Sequence, residues 1–500
     1  MRDRCAVLDW AASGAMALTG MPGGPPVASA APVLAMLAQV TAEFGRVTAD
    51  SGTAVQADPA ELIAGRAALA GFTRGGRVSA GGSSFLLRAA DGWCAVTVSR
   101  PDDVAAVPAI AGALGLAVAG GDAVETRAQA RTVLAAAAAS TPAEEFAAAA
   151  QLVGVPAAAL PSSALASSAL ASSALGARVR PPAPGGTSLA GASGTSLAGA
   201  AGWPPWRTTR IAAPAAGATL AGAVVADLSS MWAGPLCSRL LGLAGAEVIK
   251  VESPARPDGA RSGNREFFDW LHAGHRSLSV DFGTRTGRTA LAALLEVADV
   301  VIEASRPRAL AAAGLAPDMI AHRPGQVWLS ITGYGRSMPE RVAFGDDAAV
   351  AGGLVGWTTG GGYGQGGWGA GAPHAGEQSS PPYLFESSPE PVFCADAIAD
   401  PLTAACGALA VALSLSAGGG ELIDLPMREV AAAFAAAALD HGPHDVLPGG
   451  SVACPRSHRA QAVLPPRRPA PPAGPAAHAP ELGADTSAVL AWLARRPAAC

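Results

Sequence analysis

The sequence predicts an α/β fold in which helices cover both faces of a parallel β-sheet. Between residues 222 and 335, short β-branched runs alternate with amphipathic stretches of helical periodicity. Strands joined through helices of this length form right-handed crossovers, which produce parallel sheets. Polar segments follow the strands, at the sheet edge where such folds bind their ligands.

The elements follow one another regularly. A strand over 222–230 precedes a helix that carries Leu236, Leu240 and Leu243 on one face and ends at Gly245. The later strands are predicted over 247–253, 276–282, 299–305 and 326–335, and the later helices over 287–298 and 307–320. The segments after the strands read LSSMWAGP, VESPARPDGAR, EASRPR and TGYGR. Three of these four contain arginine, as an anionic ligand would require.

Composition limits the functional class. A chain of 500 residues predicts two to four domains, and a net charge of −5 without a Lys/Arg cluster argues against nucleic-acid binding. The first residues lack the layout of a signal peptide, and the longest apolar stretch, at 109–121, is too short and glycine-rich for a membrane span. Seven scattered cysteines without a Cys-x-x-Cys motif predict reduced thiols and a cytoplasmic protein.

Two low-complexity tracts predict the domain boundaries. Small-residue repeats predict a flexible linker over 161–205, and a glycine-rich tract predicts an inserted loop over 358–390. No strand leads into the second tract and no Gly-Lys-Ser/Thr follows it, so a phosphate cradle is disfavoured. The predicted units are 1–160, 206–440 and a tail, 441–500, with a short helix capped by Thr486 or Ser487.

A weak internal duplication is visible. Residues 9–20 echo 349–360, and residues 52–69 echo 419–434, where each copy is expected to contain a helical stretch and a strand. The order of the echoes predicts that the first 160 residues include a partial copy of the later unit.

The stretch AFGDDAAVAGG (343–353) places two adjacent carboxylates, Asp346 and Asp347, beside glycine and alanine. Two interpretations are open. The pair could cap a helix over 348–356 through its free N–H groups. Alternatively, one carboxylate could be reactive, with small neighbours leaving room for a ligand.

Weaker candidates have ordinary structural explanations. His441 and His444 lie beside Asp440 and Asp445, but Gly442-Pro443 would break the helix that a zinc site would need, which favours a loop. Two further aspartates, Asp396 and Asp400, fit a helix start, and two tryptophans, Trp203 and Trp206, fit packing at the linker exit.

The chain resembles the class III CoA-transferases, a family that also contains the α-methylacyl-CoA racemases. For the large domain, the resemblance rests on VADLSSMWAGPLCSRLLGLAGAEVIKVESP, HRSLSVDF, ADVVIEASRPRAL, WLSITGYG, FGDDAAVAGGL, DAIADPLTAACGALAVAL and GGGELIDLPM. DGWCAVTVSRPDDV and PAEEFAAAAQLVGVPAAAL resemble the family's small domain, and APELGADTSAVL resembles its C-terminal motif. The resemblance implies a Rossmann-like large domain with a smaller α+β domain, here in a fused or permuted order.

The family's mechanism assigns roles to the aspartates. In the family, a glycine and then an aromatic residue or histidine precede a nucleophilic aspartate. Asp347 therefore matches the nucleophile, and Asp346 stands at the variable position before it. A one-residue shift leaves Asp346 as the alternative. The resemblance implies transfer of CoA from an acyl-CoA to a carboxylic acid through an aspartyl-CoA thioester, without a metal or a permanently bound cofactor. Because the nucleophile must ionise, we expect Asp346 to face solvent.

The resemblance also implies CoA-binding positions. Trp232-Ala233-Gly234-Pro235 matches the loop over the pantetheine and phosphates, and Arg276 and Arg306 match two basic positions. The family's Asn-Phe pair before the second arginine is replaced here by Ala304-Ser305, which removes a hydrogen bond and a stacking surface. Solvated ion pairs are the alternative for both arginines.

Two other functions stay open. A racemase would need a histidine directly before Asp347, where this chain has Asp346, and that argues against racemisation. A catalytically degenerate CoA-binding protein is the third reading, since the Asn-Phe pair is missing. Because the family forms interlocked dimers, a homodimer or an internal pseudo-dimer is implied, with acyl-CoA and a small carboxylic acid as partners.

Overall fold

The computed structural model describes residues 5–29, 31–116, 124–163, 202–304, 307–358, 389–437, 444–447, 450–472 and 477–495. The strands are β1 (Ser84–Arg88), β2 (Trp93–Thr97), β3 (Ala157–Ala159), β4 (Arg207–Arg210), β5 (Val224–Asp227), β6 (Glu247–Glu252), β7 (Arg276–Ser279), β8 (Val300–Glu303), β9 (Val327–Thr332), β10 (Gly356–Trp357), β11 (Pro391–Val392), β12 (Glu421–Pro426), β13 (Asp445–Leu447), β14 (Ser451–Cys454) and β15 (Arg459–Ala462).

The α-helices are α1 (Ala6–Ala12), α2 (Val33–Asp50), α3 (Pro59–Ala70), α4 (Pro101–Ala105), α5 (Val107–Ala113), α6 (Arg127–Ala139), α7 (Ala143–Leu152), α8 (Ala233–Leu243), α9 (Arg265–His272), α10 (Arg285–Val297), α11 (Pro307–Ala312), α12 (Gly345–Ala351), α13 (Ala399–Ser416), α14 (Met427–Ala435) and α15 (Thr486–Ala494).

The predicted α/β class is confirmed. Seven strands form one sheet in the order β4-β12-β9-β8-β5-β6-β7, parallel throughout except for the antiparallel edge strand β4. Alternate residues of the strands enter different cores: Val225 and Val248 pack with α8 and α13, whereas Val224 and Ile249 pack with α10 and α15. Both faces are therefore buried, as expected for strands without polar alternation.

A second, smaller sheet belongs to a separate core. Strands β1, β2 and β3 are antiparallel, and helices α4 to α7 pack on them around Phe146, Val96 and Leu134. This is the architecture that the family resemblance implied for the smaller α+β domain. The small sheet comes before the large sheet in the chain. That this order is fused or permuted relative to the family stays a prediction.

Helices α1 to α3 do not join that small core. They pack on the large sheet's helices, and α2 lies along α13. The apolar face of α2, including Val40 and Phe44, packs against α13 in the core of the large sheet. Residues of the predicted unit 1–160 therefore contribute to two cores.

The internal duplication has a partial structural counterpart. Helices α1 and α12 each have 7 residues, and α2 and α13 each have 18 residues and pack against each other. The expected strand within 52–69 is absent: these residues form a turn and α3, whereas 419–434 contain β12 and α14.

Some predicted boundaries were wrong. The helix predicted over 307–320 ends at Ala312, because the chain turns at Gly314, whose φ of +73° favours glycine. Helix α9 was missed, although Asn264 caps it by accepting a hydrogen bond from the Phe267 N–H. The predicted C-terminal helix is confirmed as α15, but the predicted cap was wrong: Thr486 is already the first helical residue, and Asp485 is the N-cap.

Several predictions concern residues that lie wholly or largely outside the described ranges. Most of the predicted linker and of the glycine-rich insertion belongs to this group, as do Arg306 and His441. The predicted loop around His444 is wrong for the residues that follow it, since Asp445–Leu447 pair with β14 as strand β13. Trp203 and Trp206 pack edge to face, and Trp203 also contacts Phe434.

Helix α13 is long and apolar enough to cross a membrane by length and composition alone. Most of it is buried inside the protein, between α2 and α8 and against β9. Its position is that of a central core helix.

Candidate active site

Both aspartates of the sequence motif lie in the first turn of α12. Phe344 is the N-cap residue, and Gly345 begins the helix. A Cβ at Gly345 would lie 2.4 Å from the main-chain oxygen of Ala397 and 2.3 Å from Asp400 Oδ2, so glycine alone allows this close approach. The glycine thus brings the aspartate pair against the segment that leads into α13.

Asp347 is completely buried and only half satisfied. Its Oδ1 atom accepts hydrogen bonds from the Thr97 hydroxyl and the Phe344 N–H, both at 2.9 Å. Its Oδ2 atom is buried without a hydrogen-bond partner among the described residues. Burial raises the pKa of Asp347 to about 8 and the Asp346 charge adds to the shift, while hydrogen bonds from Phe344 and Thr97 oppose it.

Asp346 does not face solvent, so this expectation was wrong. Its Oδ2 accepts from the Ser84 hydroxyl at 2.8 Å, and its Oδ1 accepts from the Ala397 N–H at 3.0 Å. Burial raises its pKa, although these hydrogen bonds and the Arg66 charge oppose the shift. The small domain covers the carboxylate, which neighbouring sequence cannot indicate.

The capping interpretation describes part of this geometry. Asp347, the third residue of α12, binds the N–H of Phe344 at the N-cap, as a capping side chain does. That bond uses one oxygen and leaves the other free. Capping and reactivity are therefore compatible in Asp347.

Two residues from the small domain complete the site, and sequence reasoning missed both. Ser84 on β1 and Thr97 on β2 lie opposite each other, and their hydroxyls are 2.9 Å apart. Each also binds one aspartate of α12, so the candidate site lies between the small and large domains. DGWCAVTVSRPDDV contains Thr97, but its spacing gives no sign of a contact 250 residues along the chain.

Arg66 links a group of buried carboxylates to the Trp232 loop. It pairs with Asp396 at 3.0 Å, and its guanidinium lies 5.1 Å from the Trp232 ring centroid. Burial raises the pKa of Asp396 to about 6 and that of Asp400 to about 7, and in both cases the Arg66 charge opposes the shift. The helix-start interpretation holds for Asp400, in the first turn of α13, whereas Asp396 precedes the helix.

The predicted CoA-binding loop is a tightly packed turn. Trp232 is the N-cap of α8, and Ala233, Gly234 and Pro235 form its buried first turn. A Cβ at Gly234 would lie 2.1 Å from the Ser229 Cβ, so glycine is needed here for packing. Arg66 therefore lies between the Trp232 ring and the buried carboxylates. A contact between this loop and CoA stays a prediction.

Arg276 is held elsewhere. Its guanidinium donates to Glu247 Oε1 at 2.7 Å, and Glu247 is the first residue of β6. The Trp232 loop instead follows the carboxyl end of β5, so the two predicted positions lie toward opposite ends of the strands. The solvated ion-pair alternative fits Arg276, and Arg306 lies outside the described residues.

Two other arginines after strands have internal partners. Arg261 pairs with Glu252 at 2.6 Å, and Arg336 pairs with Glu303 at 2.7 Å. Their charges are balanced by buried carboxylates before any ligand arrives. Less unpaired positive charge is therefore available to an anion at the strand ends than the number of arginines in the sequence indicated.

Residues 220–467 match the model of CoA-transferase family III. This match agrees with the resemblance found in the motifs of the chain.

Individual relatives match over shorter stretches. An acyl-CoA transferase of Fusarium pseudograminearum (strain CS3096) is 32% identical over 154 residues, 27% of this chain and 34% of the relative. The succinyl-CoA–D-citramalate CoA-transferase of Chloroflexus aurantiacus is 32% identical over 140 residues, 26% of this chain and 35% of the relative. The chain thus matches about a third of the length of these curated relatives. A solved structure, a CAIB/BAIF family protein from Brucella suis, has 26% identity over 44% of this chain and 55% of that one, with a TM-score of 0.32.

The buried carboxylates predict a characteristic pH dependence of stability. The pKa of Asp347 rises from 3.8 to about 8, so the folded protein keeps a proton that the unfolded chain releases near its ordinary pKa. The free energy of unfolding should therefore fall as pH rises from about 4 to about 8, by a few kcal/mol from this group. Asp396 and Asp400 act in the same direction, up to about pH 6 and about pH 7.

Urea unfolding across this pH range, for the wild type and Asp347→Asn, measures the effect. The variant carries no titrating carboxyl group at position 347, so its stability should fall less steeply. Parallel slopes for the two proteins would show that Asp347 titrates normally.

Proposed function

We propose that this protein is a CoA-transferase that moves CoA from an acyl-CoA to a carboxylic acid, with Asp347 as the nucleophile. The observation that carries the proposal is the half-satisfied Asp347 carboxylate. Thr97 and Phe344 hold Oδ1, while Oδ2 is buried and has no hydrogen-bond partner within the described part of the chain. The match of residues 220–467 to the model of CoA-transferase family III supports the same reaction class. So do the names of three relatives, a succinyl-CoA–D-citramalate CoA-transferase, a succinyl-CoA:mesaconate CoA-transferase and an (R)-2-hydroxy-4-methylpentanoate CoA-transferase.

The proposed reaction balances without another reagent. An Asp347 oxygen attacks the thioester carbonyl, expelling CoA thiolate and forming a mixed anhydride. The thiolate attacks the aspartyl carbonyl, which releases the first acid and leaves an aspartyl-CoA thioester. The acceptor carboxylate then expels the thiolate to form a second anhydride, and the thiolate attacks its acyl carbonyl. The products are the new acyl-CoA and free Asp347.

Access to Asp347 requires a conformational change. The carboxylate has no exposed surface, and the hydroxyls of Ser84 and Thr97 cover the aspartate pair. Separation of β1 and β2 from α12 would admit the thioester. It would also restore polar surroundings to Asp347, lower its pKa and favour the ionised nucleophile.

The substrates and setting are part of the proposal. Acyl-CoA and a small carboxylic acid are the proposed substrates, no permanent cofactor is required, and the cytoplasm is the proposed location. The packing of α2 against α13 favours an internal pseudo-dimer, in which the N-terminal helices take the place of a partner subunit. Sedimentation showing an obligate, interlocked homodimer would contradict that arrangement.

Hydroxylamine trapping tests the covalent intermediate. The full chain is incubated with a panel of acyl-CoA donors and hydroxylamine, then digested and analysed by mass spectrometry. Hydroxylamine attacks an activated Asp347 carbonyl, releases the carboxylic acid or CoA, and leaves an aspartyl hydroxamate. We expect this hydroxamate at position 347 in the wild type and in Asp346→Asn, and its absence in Asp347→Ala.

Other results would favour other functions. A hydroxamate at Asp346 would move the nucleophile by one residue. Exchange of the substrate's α-proton with deuterated water, without a hydroxamate, would favour a racemase. No adduct and no exchange, with CoA still bound, would leave a CoA-binding protein without transferase activity.

A further inference from the structure

Three side chains from distant parts of the sequence meet away from the aspartates. Cys5 precedes α1, His444 precedes β13, and Cys454 ends β14. Both cysteines are buried and the histidine is half-buried. Their ligand-type atoms, two Sγ atoms and one imidazole nitrogen, all lie within 4.8 Å of one another.

The spacing fits a tetrahedral metal ion. Cys5 Sγ and His444 Nε2 are 3.0 Å apart. A Zn²⁺ ion with Zn–S bonds of about 2.3 Å and a Zn–N bond of about 2.0 Å holds such atoms about 3.5–3.8 Å apart. Shifts of about 1 Å or less would bring the three atoms to those separations, and side-chain rotation can supply them.

The surroundings also suit an ion. Helix α1 packs directly against β14 and β15, so the ligands belong to segments already in contact. Ser457, in the turn after β14, hydrogen-bonds with Cys454 through its hydroxyl and its main chain. Two thiolates and one imidazole favour Zn²⁺ over Mg²⁺ or Ca²⁺, which prefer oxygen ligands.

We propose that Cys5, His444 and Cys454 bind one Zn²⁺ ion, with water in the fourth position. Binding displaces the two thiol protons to solvent, while His444 ligates through its Nε2 lone pair and keeps its proton on Nδ1. The ion ties α1 to the three-stranded sheet of β13, β14 and β15. It stabilises the folded chain because the ligands are brought together only by folding. Sequence spacing could not indicate this site, since its ligands stand at positions 5, 444 and 454.

Metal counting on the full chain tests the proposal. The reduced protein is loaded with Zn²⁺, desalted and analysed by elemental mass spectrometry. We expect about one Zn²⁺ per wild-type chain and at least a tenfold weaker affinity in Cys5→Ser, Cys454→Ser and His444→Gln. Cys94→Ala is the matched control, because Cys94 is equally buried but lies in the small-domain core, and it should bind zinc like the wild type.

Cobalt titration keeps the test decisive if a variant does not fold. Co²⁺ added to the metal-free wild type should give the absorption of tetrahedral thiolate coordination, and Zn²⁺ should displace it. Absence of this spectrum, or zinc retained by the Cys5→Ser/Cys454→Ser double variant, would overturn the proposal. So would an intact mass showing a Cys5–Cys454 disulfide in the protein as isolated. None of these measurements depends on CoA transfer, so the zinc site and the proposed function can fail separately.

Discussion

Asp347→Asn should lower kcat/KM for CoA transfer by at least on the order of 10³-fold, because an amide cannot form the aspartyl anhydride or thioester. Asparagine has nearly the same shape as aspartate, and its amide oxygen can accept the hydrogen bonds from Thr97 and Phe344. The variant should therefore fold with the small domain in place. Rates are measured with the donor that hydroxylamine trapping identifies, and binding of that donor is measured separately by calorimetry.

Asp346→Asn is the matched control. Asp346 is the adjacent residue, is also buried and also contacts the small domain through Ser84. We expect a loss on the order of tenfold, from altered positioning and a missing hydrogen bond. An inactive Asp346→Asn beside an active Asp347→Asn would reverse the assignment. If both variants keep wild-type rates, neither aspartate is the nucleophile.

The local elements of the large sheet could be predicted because their signals are local. The β-branched run at Val224–Asp227 and the leucine stripe of α8 depend on residues within a few positions of each other. Asp347 was proposed as the nucleophile in the same way, from a short motif, and that role stays a prediction. In each case the periodicity or motif lies within the element that it predicts.

The contacts that give Asp347 its chemistry were not predictable in this way. Thr97 comes from a strand 250 residues earlier, and the motif around Asp346 gives no sign that Ser84 covers its carboxylate. The sequence shows where a charge stands, whereas burial and hydrogen bonding decide its pKa. The expectation that Asp346 faces solvent failed for this reason.

The arginines illustrate the same limit. Arg261 and Arg336 follow strands, where an anionic ligand would bind, but Glu252 and Glu303 already neutralise them. Those glutamates lie at the carboxyl ends of β6 and β8 and looked like ordinary strand residues. Pairing between strand ends is a tertiary property and leaves no signature at either position alone.

Lys250→Met should destabilise the protein by about 3–5 kcal/mol, because it removes one partner of a buried ion pair. Lys250 is 1% exposed and lies 2.9 Å from Asp258 Oδ2, and it also donates to the Ser229 carbonyl. Nearby carboxylates raise the pKa of this lysine above its ordinary value, overcoming burial, so it is charged in the folded protein. Methionine has a similar volume, and the loss would therefore reflect the unpaired charge of Asp258 rather than a cavity.

The same pair positions the predicted CoA-binding loop. Lys250 holds Ser229 at one side, and Asp258 accepts a hydrogen bond from the Met231 N–H at 3.0 Å. Met231 has a φ of +73°, a conformation that non-glycine residues adopt only when their surroundings impose it. Removing Lys250 should thus release the turn before Trp232 and weaken binding of CoA as well as lowering stability.

Arg276→Met is the matched comparison, because it breaks the ion pair with Glu247 that is partly exposed on both sides. Its expected cost is at most about 1 kcal/mol, since water screens the charges and solvates the glutamate left behind. Urea unfolding of the two variants measures the difference, and calorimetry with CoA measures the loop. Equal destabilisation by the two substitutions would show that the Lys250–Asp258 pair is hydrated in solution. A larger effect of Arg276→Met on CoA binding than on stability would return that residue to the CoA site.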